Sequence, residues 1–280
     1  MTSSTPASRT HFLFCHATLD TETFAERAEA AAAAGRSGLA LDYRHYRAYR
    51  ERGETDAEMV RICRANGVAV EEIWSFYGAL EATDPRRQLA FMDKLLAIAD
   101  IFGARMIGTP SGPDADFGTA ADRLAAACDR AARSGVRIGL EFVAFGALRD
   151  LTTTARIVSA TQRDNIGIIL DCWHFFRGHP DLAALATLPG HLLEAVQLND
   201  GYRAPRVPDP LEEVRRFRTL PGDGEFDVES LVRIVDRVAP GVRWCIEAST
   251  DELAALPARA AAERARTACQ RFLDRARESR

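Results

Sequence analysis

The sequence predicts a (β/α)8 barrel. Eight short apolar runs read as strands, and each is followed by a longer amphipathic, Ala-rich run that reads as a helix. The length, 280 residues, is the size that eight such units need. Strands separated by helices pair in parallel through right-handed crossovers. An open doubly wound sheet shares this alternation, but its glycine-rich first turn is missing: here that turn reads Cys15-His16-Ala17-Thr18-Leu19-Asp20.

The elements follow in order. The first strand is predicted over 11–16, and a helix over 21–34 ends at Gly35. The second strand covers 38–42, and the helix 56–65 stops at Asn66-Gly67. The third strand covers 68–75, and the long helix 85–102 is closed by Gly103. The fourth strand is 105–108, followed by a helix over 119–133 and Gly135. The fifth strand is 136–142, followed by a helix over 152–161. The sixth strand is 166–171, and a short helix over 182–187 leads to the seventh, 194–198. The Pro-rich stretch 202–210 reads as a long loop within that unit. A helix over 228–238 stops at Pro240-Gly241, the eighth strand covers 242–247, and a helix over 257–276 closes the chain. No linker or low-complexity stretch interrupts the pattern, so 1–280 reads as one domain.

Composition narrows the function classes. Lys+Arg number 36 against 40 Asp+Glu, a net charge of −4, which argues against a nucleic-acid partner. None of the six cysteines is spaced as CxxC, so neither a zinc-thiolate site nor a redox motif is expected. No apolar run approaches the ~18 residues of a membrane span, and the opening residues lack a signal-peptide pattern. The expectation is a cytoplasmic protein with reduced thiols and a small-molecule substrate; a homo-oligomer is compatible with the sequence.

In such a barrel the chemistry sits at the carboxyl ends of the strands. Strand five ends at Glu141, strand six at Asp171, strand seven carries Gln197 with Asn199 and Asp200 behind it, and strand eight ends at Glu247. One strand-end acid alone reads as a helix cap or a solvated group. Four oxygen-bearing residues on successive strands read as a metal site, because three converging carboxylates repel one another without a cation. Oxygen-only ligands favour a hard divalent ion, Mn2+ or Mg2+. Glu141 and Glu247 could each keep a second oxygen for proton transfer. His174, three residues after Asp171, is a candidate for substrate binding or acid/base work. Arg218, just before Pro221-Gly222-Asp223-Gly224-Glu225, is a candidate anion clamp, whereas Arg215 and Arg216 read as a solvated basic helix face. His45 and Trp74 are candidate substrate contacts; they, Phe76 and His16 read equally well as core. Cys245 is expected one layer below Glu247, as barrel filling.

These residues resemble a known family. Glu141 in GLEF, Asp171 and His174 in ILDCWH, Gln197 in VQLND, the stretch PGDGEFD and Glu247 in CIEAS look like the sugar phosphate isomerase/epimerase family with the xylose isomerase-like TIM barrel. The likeness covers nearly the whole chain and is most specific from Glu141 to Glu247. It implies that Glu141, Asp171, Gln197 and Glu247 are metal ligands and that His174 lies near the substrate. Many ketose 3-epimerases of the family have histidine where this chain has Gln197. Glutamine there is similar to hydroxypyruvate isomerases, whose loop after strand seven is shorter, and to 3-dehydroshikimate dehydratases. The arginine-bearing loop before PGDGEFD is also similar to the dehydratases. The family's DNA-repair endonucleases carry many histidines, and this chain has six. The shared step is proton abstraction α to a carbonyl. The first expectation is therefore a metal-dependent isomerase or epimerase of a keto sugar or similar polyhydroxy compound. The second is a lyase of the dehydratase type, and the third a non-catalytic barrel subunit.

Overall fold

The computed structural model describes residues 10–19, 21–35, 37–77, 80 and 84–278. Eight parallel strands close in chain order: β1 (Phe12–Phe14), β2 (Gly38–Asp42), β3 (Val70–Trp74), β4 (Met106–Pro110), β5 (Arg137–Glu141), β6 (Ile166–Asp171), β7 (Leu193–Leu198) and β8 (Arg243–Ile246). The ring is sealed where β1 pairs with both β2 and β8. The predicted barrel is the observed one.

Helices form the outer layer. After β1 comes α1 (Phe24–Ala33); after β2, α2 (Tyr43–Glu51) and α3 (Asp56–Asn66); after β3 and β4, α4 (Pro85–Phe102) and α5 (Phe117–Ala132). β5 is followed by α6 (Leu151–Ala160), and β6 by α7 (Cys172–Arg177) and α8 (Leu182–Thr187). β7 is followed by α9 (Pro210–Arg216) and α10 (Val228–Val238), and β8 by α11 (Asp251–Ala254) and α12 (Ala258–Glu278). α10 buries Val228, Leu231, Val232 and Val235, the i, i+3, i+4, i+7 stripe of a helix lying on a sheet. α3 and α4 stop at Gly67 (φ 64°) and Gly103 (φ 72°), whose left-handed backbone turns the chain toward the next strand. α12 packs against α1, joining the two ends of the helical ring. Among the described residues no helix is long and apolar enough to cross a membrane.

Most predicted elements fall within a few residues of the observed ones. Four helices lie outside the spans predicted as helical: α2, α7, α9 and α11. α2 and α7 begin directly at a strand end, with no loop to announce them. Asp42 closes β2 and caps α2 by accepting from Arg44 N at 2.7 Å; Asp171 closes β6 and caps α7 by accepting from His174 N at 2.8 Å. α9 carries Arg215 and Arg216, the solvated basic helix face expected there, and Arg216 pairs outward with Glu212 and Asp251.

Two cores result. Between strands and helices lies the larger one; inside the barrel Leu13, Ala40, Trp74, Met106, Ile169, Ala195 and Cys245 form a separate cluster. Strand side chains alternate, so Ile169, Ala195 and Cys245 each sit one layer below Asp171, Gln197 and Glu247. Cys245 is barrel filling, as expected. Gly139 and Gly108 also line the interior: a Cβ at Gly139 would lie 2.4 Å from Ile169 Cδ1, and one at Gly108 2.3 Å from the Trp74 ring. These glycines make room for the large side chains beneath the carboxylates.

Candidate metal centre

The barrel's carboxyl end collects Glu141, Asp171 and Glu247, which can each turn an oxygen toward a common point with those oxygens within 4.8 Å of one another. All three are buried. Gln197 faces Asp171 across the β6–β7 register. Its Nε2 donates to the Cys15 sulfur at 3.8 Å, which leaves Oε1 buried with no hydrogen-bond partner among the described residues. Glu247 Oε2 is a second buried oxygen without a partner. Orphaned buried acceptors are rare and call for an explanation. A divalent cation supplies one, since it satisfies acceptors that no nearby N–H reaches. The residues fit such an ion: three carboxylates and an amide oxygen, a donor set suited to Mg2+ or Mn2+.

The electrostatics point the same way. Burial, then the charges of Glu247 and Asp171, push the Glu141 carboxyl well above the usual range. Burial also raises Glu247, opposed by Arg218. Arg218 itself is 2% exposed. It donates from Nη1 to Glu247 Oε1 at 2.8 Å and from Nη2 to Asp171 Oδ2 at 3.1 Å. Burial alone would lower the Arg218 pKa, but these two carboxylates outweigh it and hold the guanidinium charged. The structure thus changes the reading of Arg218. Its two Nη atoms are bound to two of the candidate ligands, and its Nε is buried without a hydrogen-bond partner among the described residues.

Asp171 is held from three sides. Oδ1 accepts from His174 N; Oδ2 accepts from Arg218 and, at 2.8 Å, from Asn199 Nδ2. Asn199 Oδ1 in turn accepts from Trp173 N at 2.7 Å. The sequence placed Asn199 beside the site without this role; supporting partners that fix a ligand's orientation are common around metals. Asp200, also seen in the sequence, faces away from the centre. Its carboxylate accepts from the backbone N–H groups of Gly201, Gly222 and Phe226 at 2.8–3.1 Å, which folds the PGDGEF turn around it.

His174 is brought to the site. Its Nε2 lies 4.0 Å from Glu141 Oε1, and its Nδ1 accepts from Ala144 N at 3.3 Å. An accepting Nδ1 puts the proton on Nε2, so a neutral imidazole presents an N–H to the cluster. Burial lowers its pKa to about 4 against the pull of Asp171.

The opposite rim, from β1 to β3, carries His16, His45 and Trp74. His45 lies on α2, half-buried, its ring 6.4 Å from that of His16. Trp74 is 1% exposed, and its indole belongs to the barrel interior rather than to an open rim, with its ring 5.5 Å from that of His16. Phe76 is core, stacked on Phe91. Glu72 was missed. Strand alternation in VEEIW turns it inward, one layer below Trp74, and that spacing is the signal that would have found it.

Comparison with known proteins agrees with the fold. The family model described as "Xylose isomerase-like TIM barrel" matches residues 28–274. A 3-dehydroshikimate dehydratase of Pseudomonas aeruginosa is 31% identical over 253 residues, covering 85% of this chain and 38% of the relative. A 3-dehydroshikimate dehydratase of Pseudomonas putida is 26% identical over 252 residues, with the same two coverages of 85% and 38%. The chain thus spans well under half the length of these curated relatives. Among solved structures, a xylose isomerase-like TIM barrel/4-hydroxyphenylpyruvate dioxygenase fusion protein superposes with a TM-score of 0.85 at 22% identity, over 97% of this chain and 45% of the other. The IOLI protein with a bound zinc atom superposes with a TM-score of 0.86 at 15% identity, over 95% of this chain and 99% of that one. At these identities the structures speak for the fold alone.

Proposed function

The chain belongs to the xylose isomerase-like TIM barrel family, and from that premise we propose that it is a divalent-metal-dependent lyase of the dehydratase type, acting on a small cyclic hydroxy-ketone such as 3-dehydroshikimate. The observation that carries the metal centre is the buried, unpartnered Gln197 Oε1 beside three converging carboxylates. The dehydratase reading is favoured over the isomerase expected first because both curated relatives bear that name. We read 1–280 as one domain.

Glu141, Asp171, Gln197 and Glu247 would hold the ion. A bound Mn2+ or Mg2+ would polarise the substrate ketone and stabilise the negative charge that develops when its α-proton leaves. Glu247 keeps Oε2 free of the protein's own donors, so it is the group placed to take that proton. The buried His174 Nε2–H donates to a substrate oxygen and holds the ring against the carboxylates. The β-hydroxyl departs with a proton as water, and Glu141, whose Oε1 lies 4.0 Å from His174 Nε2, would relay that proton through the oxygen not engaged by the ion. In 3-dehydroshikimate, loss of water followed by movement of a ring proton to the ketone oxygen leaves an aromatic dihydroxybenzoate. Arg218 bridges Glu247 and Asp171 by donating to one oxygen of each.

Glu141 and Glu247 sit in one cluster, which also supports proton exchange between two faces of a keto sugar, the epimerase reading. One experiment separates the two. The purified protein, chelated and then reloaded with Mn2+, is incubated with 3-dehydroshikimate and, separately, with ketoses in D2O. Metal-dependent growth of an aromatic ultraviolet band supports the lyase. Deuterium uptake at a ketose carbon without water loss favours the epimerase, and neither signal with metal bound removes both.

A further inference from the structure

Glu72 is a buried carboxylate that the chemistry above does not use. It lies inside the barrel, 1% exposed, at the amino-terminal side of Trp74 on β3. Its two oxygens are divided: Oε1 accepts from Arg243 Nη1 at 3.0 Å, and Oε2 accepts from Trp74 Nε1 at 3.0 Å. A carboxylate placed among Met106, Cys245 and the indole is costly to bury and needs a reason to be there. Arg243 supplies the compensating charge from the barrel's lower end. The indole receives the other oxygen.

Trp74 is fixed from several directions. Gly108 leaves space for the ring on β4, and His16 covers it from β1. The indole therefore occupies the layer directly beneath the rim, level with Ile169, Ala195 and Cys245 under the proposed ligands. A buried indole can rotate about two side-chain torsions, and only one orientation lets Nε1 meet Glu72.

We propose that Glu72 is a positioning residue for substrate: through its bond to Trp74 Nε1 it sets the indole beneath the rim, and through that ring it supports His16 just after β1. The inference rests on the functional reading above. It concerns substrate placement and leaves the metal ligands untouched.

The test uses the full chain with Glu72→Gln, Trp74→Phe and the double variant. Three readouts are compared: the indole N–H resonances of the three tryptophans, Mn2+ affinity by calorimetry, and KM with kcat on 3-dehydroshikimate. The expected result is that the resonance absent from Trp74→Phe moves in Glu72→Gln while Mn2+ affinity is held. KM should rise about tenfold with kcat within about threefold, and the double variant should match Trp74→Phe alone. Effects on KM that multiply, an unchanged KM, or a parallel loss of Mn2+ affinity would overturn the proposal. If Glu72→Gln does not fold, Trp74→Phe decides, since an unchanged KM there overturns the indole's part in substrate placement. Should the wild type turn over no 3-dehydroshikimate, the functional reading fails by itself. The indole resonance then judges the tether, and an unmoved signal in Glu72→Gln overturns it.

Discussion

Replacing Arg218 with Met should affect the metal-free and metal-loaded proteins very differently. The guanidinium makes two charge-assisted bonds, 2.8 Å to Glu247 and 3.1 Å to Asp171, in a setting where the residue is 2% exposed. Removing one partner of a buried ion pair costs about 3–5 kcal/mol, because the other charge is left uncompensated. For a chain of 280 residues, roughly 2 °C of Tm is lost per kcal/mol, so the chelated variant should melt about 6–10 °C below chelated wild type. A bound Mn2+ brings two positive charges to the same carboxylates, so at saturating metal the gap should shrink by more than half. The assay is a pair of calorimetric melts for each protein, one with chelator and one with excess Mn2+. Equal drops in both conditions would refute the argument that Arg218 and the cation neutralise the same groups. A large fall in Mn2+ affinity would also count against it, because Arg218 would then be holding the ligands in place rather than sharing their charge.

Other outcomes follow from the same geometry. Gln197→Leu should weaken Mn2+ binding by about 10–100-fold or more in calorimetry while leaving the fold intact, and retained affinity would remove the amide oxygen from the ligand set. Asp200→Ala strips the acceptor from three backbone N–H groups of the PGDGEF turn and should lower stability by about 3 kcal/mol in denaturant melts. Gly108→Ala drives a Cβ to 2.3 Å from the Trp74 ring, so a loss of about 1–3 kcal/mol is expected, with partial recovery in the Trp74→Phe background. Burial lowers His16 and His174 to about 4. The unfolded chain, with histidines near 6.5, then binds more protons between these values. The stability that these two imidazoles contribute should be full above about pH 6.5 and fall as pH drops toward 4, opposed by the raised Glu141 and Glu247 carboxyls, which bind protons in the fold; His174→Gln should remove its own share of that fall in the chelated protein.

The barrel is legible in the sequence because its signals are local. Each apolar run is short, each helix has a stop such as Gly67 or Gly103, and the order of strands in a closed barrel is the order of the chain. Glu141, Asp171, Gln197 and Glu247 stand out because each lies at or near the carboxyl end of its strand and a period of two aims it inward. What is not legible depends on contacts distant in sequence. The committed bonds of Arg218 run to residues 47 positions before it and 29 after it. Asn199 meets Asp171 only once β6 and β7 pair. α2 is missed for a different reason: YRHYRAYRE has no aliphatic period and starts with no gap after β2. Glu72 is hidden by its neighbour Glu71, which makes the pair read as solvated strand-edge charge until alternation sends one of them inside.

The four proposed ligands come from four adjacent strands, β5 to β8, encoded without interruption between Glu141 and Glu247, while His16, His45 and Trp74 come from β1 to β3. The two halves meet at the proposed ligand set through the bond from Gln197 Nε2 to the Cys15 sulfur just after β1. Changes in the first hundred residues that spare Cys15 should therefore leave Mn2+ binding in place, and a chimera joining this chain's second half to another relative's first half should keep the ion only where that sulfur is kept.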